Sequence, residues 1–501
     1  MVNHSKELGK NSFVAMIGLM INGPVMFAIG LILARYLGDK GFGLYTLAFT
    51  IATFGSAVGT FGLHFGVFRY VAHYSALGNT HKARTAFNIL SLGGIIGGVL
   101  VGCLLYFSSE VISTFFAKED LQTALRIMAL LVPLLCTQQI FLYALRGLHK
   151  IPAQATIEKM VQPLLRLALF ASVLFLGFGV VGVFWSLVIG TAITALIAGR
   201  YVLSQLPKST TGTSLDYREI REWFIYSLPV FAEIVLKFLL LQTGIEVFIL
   251  GKYVSEAEIG IYGAIYRLLP LMMVPALAFS SAFGPIVAEC FAPKDMIQLR
   301  KTFSLVSRLI VILTLPLFFA LVFFSSKILG FFGPGFERGG LALAILACGF
   351  LVDAGVGEVR TIVLLSGRSG IYLINTIVLV TMSILLSLLL IPIWGIVGAA
   401  IAASCSRATF NLIGIVQVFW FTRIHPFAVG YFKPWLAGVV VVGMFFLGRY
   451  LFNIDMASLL TGMILYGGLL IIYAAILSLL GLSEEKKVFW AAVKRSARRA
   501  A

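Results

Sequence analysis

The sequence predicts an all-α integral membrane protein of 14 transmembrane helices, arranged as two parallel-repeat six-helix lobes plus two C-terminal helices around a central cavity. Three observations predict it. The chain of 501 residues is 60% hydrophobic and only 12% charged, with a mean hydropathy of +1.00, whereas a water-soluble domain carries about 25% charged residues. Its apolar runs are long enough to cross a bilayer, for which roughly 20 residues suffice. One segment is also written twice: ILARYLGDKGFGLY at 32–45 returns as ILGKYVSEAEIGIY at 249–262, without a gap, at an offset of 217 residues. A period of that length marks a duplicated half rather than a solenoid, which is how many secondary transporters are built.

Taken in order, a short tail at 1–10 precedes the first lobe, 11–203, with spans expected at 11–34, 43–66, 86–108, 121–146, 155–176 and 180–203. The first apolar run follows Lys10 without an A-x-A cleavage site, so it reads as a retained span rather than a signal peptide. A polar connector, 204–220, leads to the second lobe, 221–420, with spans at 221–250, 258–284, 303–326, 338–365, 370–392 and 396–420. Two further spans, 431–452 and 457–481, fill the region 421–481, and a basic tail, 482–501, ends the chain. Interleaved cations and aromatics there suit an amphipathic helix on anionic lipid or a solvated tail.

Charge supplies the orientation. With the N-terminus in the cytoplasm, and residues at helix ends counted with the adjoining loop, inner segments hold 26 Lys+Arg and outer segments 7, leaving 5 of the 38 within spans. That is the positive-inside bias, and it accounts for the basic excess without nucleic acid as a partner. Both lobes then start inside, so the halves are parallel repeats with N- and C-termini in the cytoplasm of a multi-pass cell-membrane protein. Glycines at Gly55, Gly59, Gly62 and Gly66, and at Gly94, Gly98 and Gly102, form stripes that let helix backbones approach. The five cysteines are scattered, without metal or disulfide spacing.

Enzyme signatures are missing. There is no G-x-x-x-x-G-K-[ST] loop, no H-E-x-x-H and no G-x-S-x-G, and the six histidines do not cluster. The chain therefore reads as a non-enzyme without a metal or cofactor. What remains is ions inside spans, each costing about 2.5–3.5 kcal/mol in hydrocarbon, so that each should face protein or water. Arg166 ends a polar stripe with Glu158 and Gln162 at four-residue spacing, Arg267 lies in YRLLPLMMVP, Arg407 is flanked by Ser404, Cys405 and Ser406, and Lys237 stands one turn from Glu233. Arg166, Arg267, Arg407 and Lys237 are the candidate cavity cations. Arg166 and Arg267 have no opposite charge within their own turn unless Glu158 reaches up, whereas Lys237 pairs with Glu233 in one reading. Asp353, Glu246 and Glu233 are candidates for coupling to H+ or Na+, Asp353 being equally placed to pair with Arg267 or Arg407.

With two six-span lobes, two extra C-terminal spans, and ARYLGDKGFGLYTLAFT followed by FGVFRYVA, the chain closely resembles the polysaccharide flippase branch of the multidrug/oligosaccharidyl-lipid/polysaccharide superfamily. The segment YGAIYRLLPLMMVPALAFSSAFGP is similar to the eighth span of lipid II flippases, with Arg267 at the place of a cavity arginine. Asn22 stands in the first span where those flippases have basic residues, and Thr50 is the repeat mate of Arg267. The resemblance implies a V-shaped bundle that moves a lipid-linked oligosaccharide across the cytoplasmic membrane by alternating access. It further implies a monomer whose partners are membrane lipids and glycosyltransferases or a glycan polymerase. Physics agrees, because arginine forks match phosphate oxygens and a bare headgroup cannot enter hydrocarbon. The alternatives are a cation-coupled multidrug exporter, which calls for an acid-rich cavity, and a non-transporting scaffold of a glycan synthesis complex.

Overall fold

The computed structural model describes residues 2–206, 217–241, 244–291, 295–366, 368–452 and 459–481, and among these the regular elements are helical, with no strand. The basic tail and most of the connector lie outside the described residues. Nine described helices are long and apolar enough to cross a membrane, and shorter apolar helices follow at Phe432–Gly448 and Ile464–Leu479.

The first helix, α1 (Val2–Gly59), has 58 residues, and a straight rod of that length would reach about 87 Å. It is instead two helices meeting at Gly38, where φ is +69°. Helix α17 (Ser369–Thr422) is divided likewise at Gly395, with φ +55°. Glycine takes such a turn without a Cβ clash. Between them run α2 (Leu63–Ala76), α3 (Thr80–Phe107), α4 (Ser109–Phe116), α5 (Glu119–Gly147), α6 (Ile151–Thr156), a π turn (Ile157–Val161), α7 (Gln162–Leu176), α8 (Gly179–Gln205), α9 (Tyr217–Leu241), α10 (Gly244–Tyr253), α11 (Glu256–Leu268), α12 (Pro270–Phe291), α13 (Met296–Phe323), α14 (Ser325–Gly330), α15 (Gly340–Val356) and α16 (Val359–Leu365). Helices α18 (Phe432–Phe452) and α19 (Leu459–Leu479) complete the described chain.

The chain forms two compact units. Unit 1 holds residues 1–267 and 330–336, and unit 2 holds 268–329 and 337–501. Helices α9, α10 and α11, which open the second copy of the repeat, therefore pack within unit 1. There the two written copies meet. Gly43 and Gly260, which align in the repeat, sit back to back: a Cβ on Gly43 would overlap the Glu256 carbonyl, and a Cβ on Gly260 would overlap the Asp39 carbonyl. The flanking cations reach out in matching fashion. Arg35 Nε donates to the Phe331 carbonyl at 2.7 Å, and its repeat mate Lys252 donates to the Phe115 carbonyl at 2.6 Å. Lys118 Nζ donates to the Val254 carbonyl at 2.9 Å. Burial pushes this ammonium below the usual lysine range, against the pull of Glu256 and Glu258.

The rest of unit 1 is built on small residues and one apolar core. Gly59 lies against Gly97 and Gly98, and Gly102 against the Ala129 carbonyl, as the glycine stripes require. The expected span 43–66 is interrupted: α1 stops at Gly59 and α2 starts at Leu63, with left-handed Phe61 (φ +44°) and Gly62 (φ +71°) between them. Gly62 is pressed on the α9 backbone at Ser227 and Phe231, so this break is held by packing. Below it, Val67, Val71, Leu90, Leu145, Val202 and Trp223 are buried in one cluster joining α2, α3, α5, α8 and α9.

Unit 2 packs α18 and α19 on α13 through Val311, Leu315, Phe319, Phe445 and Tyr473. Pro316 cannot donate to the Ile312 carbonyl four residues back. The Tyr473 hydroxyl donates to that carbonyl instead, at 3.3 Å, and the Tyr466 hydroxyl donates to the Pro316 carbonyl at 3.0 Å. The carbonyl that the proline leaves without its N–H partner is thus taken up by a tyrosine of α19.

Candidate functional site

Unit 1 holds both Arg267 and Arg166, and Arg267 lies on an aromatic column. Phe42, Tyr45 and Phe49 share a face of α1 at helical spacing and stack, Phe42 to Tyr45 at 5.9 Å and Tyr45 to Phe49 at 5.7 Å between centroids. Arg267, in the last turn of α11, lays its guanidinium 4.7 Å from the Phe42 centroid and 5.8 Å from that of Tyr45. Its side chain runs past Gly30, where a Cβ would come within 2.7 Å of Arg267 Cδ. Arg166, on α7, lies against Gly190 of α8. Its Nε is buried without a hydrogen-bond partner among the described residues. Neither arginine forms a salt bridge to a described carboxylate.

Glu158 does not reach Arg166. One carboxylate oxygen accepts from Lys159 Nζ at 2.5 Å and the other from Gln154. The local cause is Pro163. Without an N–H it leaves the Lys159 carbonyl unmatched, and the helix widens into a π turn in which the Gln162 N–H reaches back to Ile157. Gln154, Glu158, Gln162 and Arg166 follow one another at four-residue spacing through this turn. Gln162 Nε2 donates to Gln138 Oε1 at 3.5 Å, and Gln138 Nε2 donates to Thr194 Oγ1 at 3.0 Å, so α5, α7 and α8 share this polar seam.

Unit 2 holds a separate group. Arg407 Nη1 lies 3.6 Å from Asp353 Oδ2, with both side chains largely covered, and the guanidinium sits 4.2 Å over the Phe350 ring. Asn411 Nδ2 donates to Asp353 Oδ1 at 2.6 Å and to the Arg407 carbonyl at 2.9 Å. Asp353 and Arg407, two of the sequence candidates, are therefore partners. Glu246 is buried on α10, and Glu233 is exposed on α9. The Lys237 side chain lies outside the described residues, so the Glu233–Lys237 pairing does too. No group of three His, Cys, Asp or Glu residues suited to a metal occurs among the described residues.

Tyr45 and Phe42 were not singled out as site residues by sequence reasoning. A signal existed in the repeated motif, which carries Tyr45 and Tyr262 at matched places. An aromatic inside a membrane span otherwise reads as core or lipid-facing.

Comparison with known proteins places this arrangement. The family model described as "Polysaccharide biosynthesis protein" matches residues 8–291. The chain is 27% identical over 233 residues to the probable low-salt glycan biosynthesis flippase Agl15 of Haloferax volcanii, covering 44% of this chain and 47% of that one. It is 24% identical over 368 residues to a putative O-antigen transporter of Shigella flexneri, covering 69% of this chain and 82% of that one. The chain spans about half the length of the first of these curated relatives. Among solved structures, it superposes on the lipid II flippase MurJ in an inward closed conformation with a TM-score of 0.71 at 13% identity, over 96% of this chain and 99% of that one. An inward-facing multidrug resistance MATE family transporter of the MOP superfamily gives 0.66 at 16% identity, over 82% and 98%. At these identities the likeness is one of fold.

Proposed function

The chain belongs to the polysaccharide biosynthesis protein family, and from that premise we propose that it translocates a lipid-linked oligosaccharide, joined through phosphate or pyrophosphate, across the cytoplasmic membrane by alternating access. One observation carries this reading: Arg166 and Arg267 stand inside spans of unit 1 with no described carboxylate as a salt-bridge partner. Two uncompensated cations in a low-dielectric setting call for an anion from outside the chain, and a phosphate diester or diphosphate supplies one that guanidinium forks bind bidentately. The relatives' names, a glycan biosynthesis flippase and an O-antigen transporter, point to the same cargo class. A cation exporter would need carboxylates where this site has arginines.

In this reading the protein acts as a monomer beside glycosyltransferases or a polymerase, with both termini in the cytoplasm. The Asp353–Arg407 pair is where a coupling proton would act, by releasing Arg407. The test is to express Arg267→Ala and Arg166→Ala in cells whose own protein is depleted and to measure exported glycan. Loss of a charge-assisted hydrogen bond worth about 1.5–3 kcal/mol corresponds to roughly 10- to 100-fold weaker cargo binding. Export should fall strongly, with lipid-linked glycan building up on the inner leaflet and folded protein at the normal level. Unchanged export in both variants sinks the reading.

A further inference from the structure

The polar seam leading away from Arg166 has no role in anchoring the anion, and it stands where membrane chemistry forbids idle polarity. The span Ile151–Leu176 that carries it has only 22% of its apolar window buried within the molecule. Yet Glu158 and Lys159 keep 26% and 31% of their side-chain surface exposed. Gln138 and Gln154 are buried within the protein, whereas Glu158, Lys159 and Gln162 are partly exposed, and polar groups exposed in a span face water rather than acyl chains. The seam is only partly closed on itself. Gln162 spends one N–H on Gln138, and its Oε1 has no described partner. A primary amide offers two donors and two acceptor lone pairs, and a carboxylate offers acceptors only.

We propose that the partly exposed Gln162 and Glu158, backed by the buried amides of Gln138 and Gln154, form a track for the uncharged sugars of the cargo, leading along the π turn and α7 from the anion site at Arg166. This rests on the flippase reading above and adds a subsite to it. The chemistry sorts the two ends. Arginines without carboxylates take the phosphate. Amides beside a Glu158 carboxylate that Lys159 neutralises offer no net positive charge to a second anion and suit hydroxyls, which donate and accept at once. Eight residues separate Glu158 from Arg166, about 12 Å of helix, which is room for one or two sugars.

The experiment uses the full chain in proteoliposomes and two probes, a polyprenyl diphosphate without sugar and the same lipid carrying a neutral trisaccharide. Wild type should bind the glycosylated probe more tightly. Gln162→Met, close in shape but unable to hydrogen-bond, should weaken the glycosylated probe about two- to tenfold, the value of one neutral hydrogen bond, and leave the bare diphosphate unchanged. Glu158→Gln, which keeps the shape of the seam, should do the same and serves if Gln162→Met fails to fold. Equal weakening of both probes shows a structural staple and overturns the track. So does a wild type that treats the probes alike, or variants that bind the trisaccharide as well as wild type. Arg166→Ala and Arg267→Ala are the separate control: if they leave the bare diphosphate bound as before, the anion site fails while the sugar comparison still stands.

Discussion

Gly30 and Arg267 compete for the same space, and the glycine yields it. A side chain at position 30 would meet the arginine along its length, starting with Cδ. Gly30→Val should therefore copy Arg267→Ala: the guanidinium leaves the faces of Phe42 and Tyr45, and cargo binding falls by a similar factor. Overpacking of this kind costs about 1–3 kcal/mol, so the protein should still run as a folded species in gel filtration, with a lowered melting temperature. Normal transport by Gly30→Val would show that the rotamer of Arg267 is immaterial. The sequence alone reveals Arg267 as an expensive ion but not its neighbour, because Gly30 reads as one more small residue in an apolar run. Tyr45 is hidden for the same reason. The Asp353–Arg407 pairing was legible only as one of two alternatives, since helices that far apart in the chain give no register to each other.

At the scale of elements, duplication was readable from two gapless lines of sequence, whereas the contact between them was not. Residue identity at Gly43 and Gly260 shows that both copies need a small residue; only the fold shows that each needs it for the other. Gly43→Val and Gly260→Val should each destabilise the protein by about 1–3 kcal/mol or more, because the obstacle is backbone carbonyl rather than a movable side chain. Gly443→Ala, on a helix surface with nothing near a new Cβ, should be neutral or slightly stabilising. Thermal unfolding in detergent reads all three, and equal melting temperatures would deny the crossing its importance. The π turn and the break at Phe61 were less legible. Pro163 and Gly62 mark both spots in the sequence, but whether a helix bends, widens or stops there depends on what packs against it, here the Ser227 and Phe231 backbone.

At the scale of the whole molecule, hydropathy was enough to establish an all-helical membrane protein, because long uncharged runs have few other fates in water or lipid. The two compact units divide near Arg267, and that boundary follows tertiary contacts that a sequence does not display. Orientation rests on charge bias and is open to direct measurement. A thiol reagent that cannot cross the membrane should label Gly78→Cys only from the cytoplasm and Lys40→Cys only from outside, in a chain whose five native cysteines are replaced. The opposite pattern would invert the topology. The meeting of Gly43 with Gly260 has a last consequence. Like surfaces facing each other across an axis are how two identical subunits shake hands, so a half-length forebear would have paired through this spot before the gene doubled. Fusion would then have freed the copies to diverge, but at this crossing a bulky residue in one has nowhere to go in the other. Descendants of this chain should drift widely along both helices and keep those two positions bare together.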